Sequence, residues 1–529
     1  MKPKEQVRQA QRELFRVELE QLVDASHPLV KLGQQINWEV FTERLGQTYA
    51  ASKGAPGVNT RLLVALHYLK YQHDLSDEAV VEQWVENPYW QHFSGEQFFR
   101  HDRPINPSSM TRWRQRLGEA GAEAMLKETI QTGLRMKVIT PTQLKRVNVD
   151  TTVQTKAVRF PTDARLYNRV RERLVKVARK AGITIKQSYE RVGPRLLMQQ
   201  SRYAHARQSK RAAACTRKLR TNLGRVIRSI LRQQPQPTGQ LQQLLSTAQK
   251  IHTQQRSDKN KIYSVHEPKV CCIAKGKAGK KYEFGNKASV ATTSKGGWML
   301  GALSLPDNPY DGHTLEQQLS QVRRLIGEKT PEEMTAHVDM GYRGHNHTGP
   351  ETVLVDKRRR GTIPKTIWRW MKRRAAVEPS IGHLKSDHRL ERNRLKGTTG
   401  DAINAILCAA AMNFQKLQGF FWLLFLRLIR SLFAALFPIP SFALSVATQN
   451  RPGRATSKPA TLRGCSSGDA SRYEGHEPPR RESPTIHSYS PCPGVVRTPD
   501  RPRAGHAPGD GGPGTEAFKT GQSGHRLCG

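Results

Sequence analysis

The sequence predicts an α/β core preceded by an all-α domain and followed by a disordered tail, and three observations predict it. Apolar residues recur at helical spacing up to about residue 135, and from residue 146 short alternating strand patterns interleave with helical ones. Beyond about residue 446, Arg, Pro, Gly and Ser crowd out any apolar periodicity.

Residues 1–135 read as the helical domain. MKPKEQVRQAQRELF opens it as a charged helix and lacks the apolar centre of a signal peptide. In RLLVALHYLK, Leu62, Leu66 and Leu69 follow helical spacing behind the capping-type residues Asn59 and Thr60; DEAVVEQWV repeats the pattern with Val80, Val81, Trp84 and Val85. NPSSMTRWRQRLGEAG offers Ser108 or Ser109 as the N-cap of a short basic helix. Its Arg112, Arg114 and Arg116 suit either a DNA-facing helix or an ordinary solvated face.

The core is expected over residues 136–418. In RVNVDTTV, Val147, Val149 and Val153 alternate with polar residues, which turns Asp150 away from the apolar face. A basic run at about 163–255 carries Leu and Val at helical spacing and reads as an inserted helical hairpin or bundle. Strands resume around KVCCIAKGKAGKKYEFGNKASV, with GKAGKK as the hairpin turn and Cys271 and Cys272 as core residues. The helix HTLEQQLSQVRRLIGE then leads to a strand that ends at Asp339. The apolar segment 419–445 contains Arg427 and Arg430 and is broken by Pro438 and Pro440. Each arginine would cost about 2.5–3.5 kcal/mol at a bilayer centre, so no membrane span is expected there. The disordered tail covers 446–529.

Charge points to the partner. Lys and Arg number 86 against 44 Asp and Glu, a formal +42, which is the balance of a protein that meets a polyanion, nucleic acid foremost. Seven cysteines form no CxxC pair and no Cys/His ligand spacing, which argues against a zinc module or a disulfide framework and fits a reducing cytoplasm.

Three acids stand out from this basic background. Asp150 interrupts one strand, Asp339 ends another before Gly341, where α/β folds offer side chains to a ligand, and Glu378 lies in the helical MKRRAAVEPSIGHLKSD. Carboxylates gathered from distant segments are what two divalent ions need in phosphoryl transfer, and magnesium requires only a few of them. On a continuous helix Arg374, Glu378 and Lys385 fall within about 40° of one direction, beside an apolar face of Trp370, Val377, Ile381 and Leu384. The same pattern suits a simple amphipathic helix with an i, i+4 ion pair, and Pro379 must either kink the helix or start it. His345 and His347 read as solvated turn histidines or metal neighbours, and Trp368 and Trp370 as packing or base-stacking residues.

These motifs resemble those of bacterial insertion-sequence transposases related to insertion sequence five. NVDTT is similar to the family's first-acid motif and VDMGYRG to its second. The third-acid signature, Tyr-(2)-Arg-(3)-Glu-(6)-Lys, is matched by Arg374, Glu378 and Lys385, with Met371 in place of the tyrosine. NPYWQHFSGE resembles the family's N-terminal domain, and the likeness spans about residues 15–418. It implies an RNase H-like catalytic core with Asp150, Asp339 and Glu378 as catalytic and metal-binding residues for two Mg2+ or Mn2+ ions. It also implies DNA contacts at Arg374 and Lys385, double-stranded DNA partners (terminal inverted repeats and target), and a homo-oligomer during synapsis. The expected activity is cleavage of the element's ends and strand transfer, in a cytoplasmic, nucleoid-associated protein. A silent DNA-binding derivative and a nuclease without joining are the alternatives.

Overall fold

A computed structural model of the chain describes residues 17–46, 57–274, 281–356 and 364–436. The opening charged helix, the tail from 446 and, apart from Lys281, the GKAGKK turn lie outside the described residues.

A mixed sheet forms the centre. Its strands are β1 (Arg146–Thr155), β2 (Cys271–Ala274), β3 (Tyr282–Thr293), β4 (Met299–Leu305), β5 (Thr335–Val338) and β6 (Thr352–Val355). β1 is flanked by β3, antiparallel, and β5, parallel; β6 extends the sheet in parallel beyond β5. On the other side of β3, β2 pairs its first residues and β4 its later ones, both antiparallel. Val147 and Val149 are buried in the main core and Asp150 is half-buried, but Asn148, Thr152 and Gln154 on the Asp150 face are buried too, so β1 is covered on both faces. Cys272 and Cys271 are only partly buried at the sheet's edge strand, so they are not the core residues the sequence suggested.

The N-terminal helices do not keep a core of their own. Helix Gly397–Leu436 packs against helix Thr60–Gln72, helix Pro107–Arg135 and β4, so Leu63, Val147, Leu300 and Ile406 belong to one apolar cluster. This helix runs without a break through the boundary expected at 418–419. Among the described residues no helix is long and apolar enough to cross a membrane. The insertion does have a separate core: helices Asp163–Lys180, Val192–His205, Ser209–Gln233 and Gly239–Thr253 form a bundle around Leu174, Val226, Leu245 and Ile251.

The expected short basic helix is the start of the 29-residue helix Pro107–Arg135, bent at Gly118, where φ is 60° and ψ −170°. Its cap is Asn106, which accepts from the Ser108 amide ahead of Pro107, rather than Ser108 or Ser109. Arg114 does not face solvent. Its side chain is 6% exposed and donates to Asp77, which also receives Lys70. The buried His67 lies against the same guanidinium, at 3.4 Å.

This cluster should make the helical region acid-sensitive. Burial first, and the Arg114 charge second, push the His67 pKa down to about 3. A histidine depressed in the folded state stabilises it above the unfolded pKa, near 6.5, and that stability drains away as pH falls toward the folded value. Between pH 6.5 and 3 the loss approaches about 1.4 kcal/mol per pH unit for this one group. Thermal unfolding followed from pH 7 to pH 4 should show a falling midpoint, with a shallower fall in His67→Gln. Equal slopes for the two proteins would rule His67 out as the source.

Candidate active site

Register brings the two aspartates together. β1 and β5 run in parallel with Asn148 opposite His337, and Asp150 and Asp339 each stand two residues further along. Asp339 is still extended, at φ −79° and ψ −179°, before the chain turns at Met340. Two residues is one full period of a strand, so both side chains return to the sheet face of Asn148 and His337, just past the end of the paired register. The Asp339 carboxylate accepts from the Gly341 amide at 2.9 Å, and that of Asp150 from the Thr151 amide at 2.7 Å.

The third acid arrives on a separate helix. Lys365–Arg374 and Val377–Ser386 are two helices, so Pro379 sits in a first turn, where its missing N–H costs no helical hydrogen bond. Ala375 and Ala376 between them keep right-handed backbone angles, and Arg374 still reaches the Glu378 carboxylate at 3.7 Å. The second helix packs on β1 through buried Val377 and Leu384. Trp370 stands apart from that apolar face, under the cationic groups of Arg146, Lys295 and Arg373 at 4.6, 5.6 and 5.9 Å.

Arg374 holds the acids together. Its guanidinium lies 3.5 Å from Asp150, 3.7 Å from Asp356 and 3.7 Å from Glu378, so one cation offsets carboxylates that would otherwise repel. The side chains of Asp150 and Arg374 are 16% and 13% exposed, whereas that of Glu378 is 66% exposed. Lys385 is drawn to Glu283 on β3, at 3.8 Å. Arg112 is exposed and donates to Ser108, one turn back on the same helix.

Asp311 is the acid that the sequence reading passed over. One of its oxygens accepts from the Thr151 hydroxyl at 2.9 Å and from Lys287 at 2.8 Å. The other borders the Gly341 backbone across from Asp339: a methyl built on Gly341 would stand 3.2 Å from it and 3.0 Å from an Asp339 oxygen. Wholly buried Tyr342 sits beside this group, its phenol pushed well above the usual range by burial and then by Asp150, Asp311 and Asp339. The only local clue to Asp311 was a Tyr-Asp-Gly turn at the head of a helix, a signal too common to single it out.

Hard carboxylate oxygens are the donors that magnesium and manganese take. Among the described residues no three His, Cys, Asp or Glu side chains close around a common point. Asp339 and Asp311 offer such oxygens on either side of the Gly341 backbone, and Asp311 is joined to β1 through the Thr151 hydroxyl. His347 is not a solvated turn residue: its ring is buried between Glu316, at 2.5 Å, and Glu351, at 3.2 Å.

Residues 17–116 match the family described as Transposase domain (DUF772), and residues 246–414 match the Transposase DDE domain. The second match includes Asp339, Glu378 and Arg374 and begins after β1. An "Uncharacterized protein ORF8 in nfe locus" of Rhizobium meliloti is 50% identical over 196 residues, 37% of this chain and 94% of that protein. No solved structure matches the chain. An acid-bearing α/β core behind a transposase-type helical region, with a relative aligned over nearly its whole length, identifies the chain as a member of the DDE transposases of bacterial insertion sequences.

Proposed function

We propose that this transposase binds the terminal inverted repeats of its element, hydrolyses a phosphodiester at each end and joins the freed 3′-hydroxyls to target DNA. The observation that carries the reading is the placement of Asp150 and Asp339 one strand period past the paired Asn148 and His337 on adjacent parallel strands, with Glu378 tied to Asp150 through Arg374. The sheet order β4–β3–β1–β5–β6, with β3 antiparallel to β1 and the last two strands parallel to it, supports an RNase H-like core.

Asp150, Asp339 and Glu378 are the residues to hold two divalent ions, magnesium or manganese. When bound, such ions supply an activated oxygen nucleophile and charge stabilisation at the leaving oxygen. The residues' own work is positional. β1 and β5 fix the two aspartates rigidly, while exposed Glu378 adjusts to the DNA. Arg374 and Lys385 turn toward phosphate as the acids gain other partners. Arg112 remains a candidate for backbone contact; Arg114, committed to Asp77, is a structural residue. Synapsis of two ends calls for a multimer, and a chain of +42 would associate with the nucleoid.

The test incubates purified chain with magnesium, a duplex carrying an element end and a target plasmid. The expected products are a 3′-hydroxyl at the element end and its covalent joint to the plasmid. Binding without cleavage would leave a silent DNA-binding derivative, and cleavage without joining a nuclease; either result rejects the proposal.

A further inference from the structure

Where the helical insertion leaves the core, three distant segments enclose an open groove of about 740 Å³. The chain leaving β1 supplies Arg159 and Phe160, the return from the insertion supplies Tyr263 and His266, and the approach to the last helix supplies Arg394 and Lys396. The assembly is built rather than incidental. Asn393 pairs with Lys156 in an isolated parallel bridge, its amide donating to the Thr155 carbonyl at 2.8 Å and its carbonyl accepting from Ala157 at 2.9 Å. Buried Lys156 is locked to Asp401 at 2.6 Å.

The lining is unusual in what it leaves unused. Lys156 and Arg169 have acid partners, but no described acidic residue pairs with Arg159, Arg394 or Lys396, and all three are exposed. Phe160 lines the same groove with 61% of its surface exposed, supported edge-on by Phe284 at 5.4 Å. The groove's own acids, Glu172 and Glu267, are taken by Arg169 and Lys156, and an exposed apolar ring beside cations without an acid partner matches the two faces of a nucleotide: phosphates for the cations and a base for the ring. Six residue steps along extended chain lead from Asp150 to Lys156, about 20 Å, or some six base pairs of duplex.

We infer that this groove binds the element's DNA about six base pairs from the scissile phosphate, with the backbone on Arg159, Arg394 and Lys396 and an unstacked base on Phe160. The inference rests on the proposed function and adds a second DNA site to it, formed jointly by insertion and core. Its consequence is that the insertion measures distance from the cut.

The test uses full chain, no divalent metal, and end duplexes carrying 2-aminopurine at single positions four to eight base pairs from the cut. Emission should rise on binding at one or two adjacent positions, the mark of an unstacked base. Phe160→Ala should abolish that rise and Phe160→Tyr should keep it. The triple change Arg159→Ala, Arg394→Ala, Lys396→Ala should lower the salt slope of end binding by about two to three units. These residues are exposed, so an unchanged melting curve is the check on folding. No rise at any position, a rise that survives Phe160→Ala, or an unchanged salt slope overturns the inference. If the unaltered chain nevertheless cuts and joins ends, only the groove is wrong; if it binds no end DNA at all, the proposed function falls with it.

Discussion

Asp339→Asn should lower cleavage of element ends by about a thousandfold or more while end binding stays within a few-fold of the unaltered chain, and Asp150→Asn should behave alike. The neutral amide keeps the size of the side chain and, at Asp339, an oxygen for the Gly341 amide, so the turn after β5 should survive. What is lost is a hard anionic donor at the point where charge must be stabilised in the transition state, an effect of several kcal/mol. Affinity is spread over many phosphate contacts elsewhere on a strongly basic chain and should barely respond. The structure ranks the acids as well. Asp150 and Asp339 are set by strand register, but Glu378 is mostly exposed on a first helical turn, so Glu378→Gln should be the mildest of the three. Cleavage assays over a magnesium titration, paired with binding assays, measure both quantities. Retained cleavage in Asp339→Asn would end the assignment of these acids.

How far the sequence carried depended on the range of the interaction. Period-two alternation in RVNVDTTV located β1, because the alternate placement of side chains along a strand is a local property; that Asn148, Thr152 and Gln154 are buried as well depends on elements packed on the other face. Helical spacing located the Thr60–Gln72 and Asp77–Glu86 helices and the insertion bundle for the same reason. Arg114 was misread because its neutralising partner, Asp77, lies on another helix, and no local pattern shows that an arginine is buried. Asp311 was missed because Thr151 and Lys287, which define its position, come from two other strands. His347 looked like a turn residue until Glu316 and Glu351 closed on it from either side. The shared core of the N-terminal helices and the sheet was equally invisible, since it is made by the distant helix that starts at Gly397.

A different glycine from those of the turns carries the largest expected effect on stability. Gly285 lies in β3 opposite Thr155 of β1 and Cys271 of β2, hemmed by backbone on both sides. A methyl group there would overlap the Gln154 carbonyl oxygen and stand 2.8 Å from the Thr155 Cα. Backbone atoms cannot rotate away as a side chain would, so the strands must part, and they must part where β1 passes into the Lys156–Asn393 bridge that builds the groove. Overpacking of this kind costs about 1–3 kcal/mol where side chains can adjust, and Gly285→Ala should reach or exceed the upper end of that range. Gly382→Ala is the matched control. That position is helical and has nothing within 4 Å of the added methyl, so better helix propensity should leave stability unchanged or raise it by up to about 1 kcal/mol. Urea unfolding of both variants reads the contrast directly: a midpoint far below that of the parent chain for Gly285→Ala, and one at or slightly above it for Gly382→Ala. Coincident midpoints would mean that β1 and β3 are not pressed together at Gly285, and the register that brings Lys156 to Asn393 would have to be redrawn.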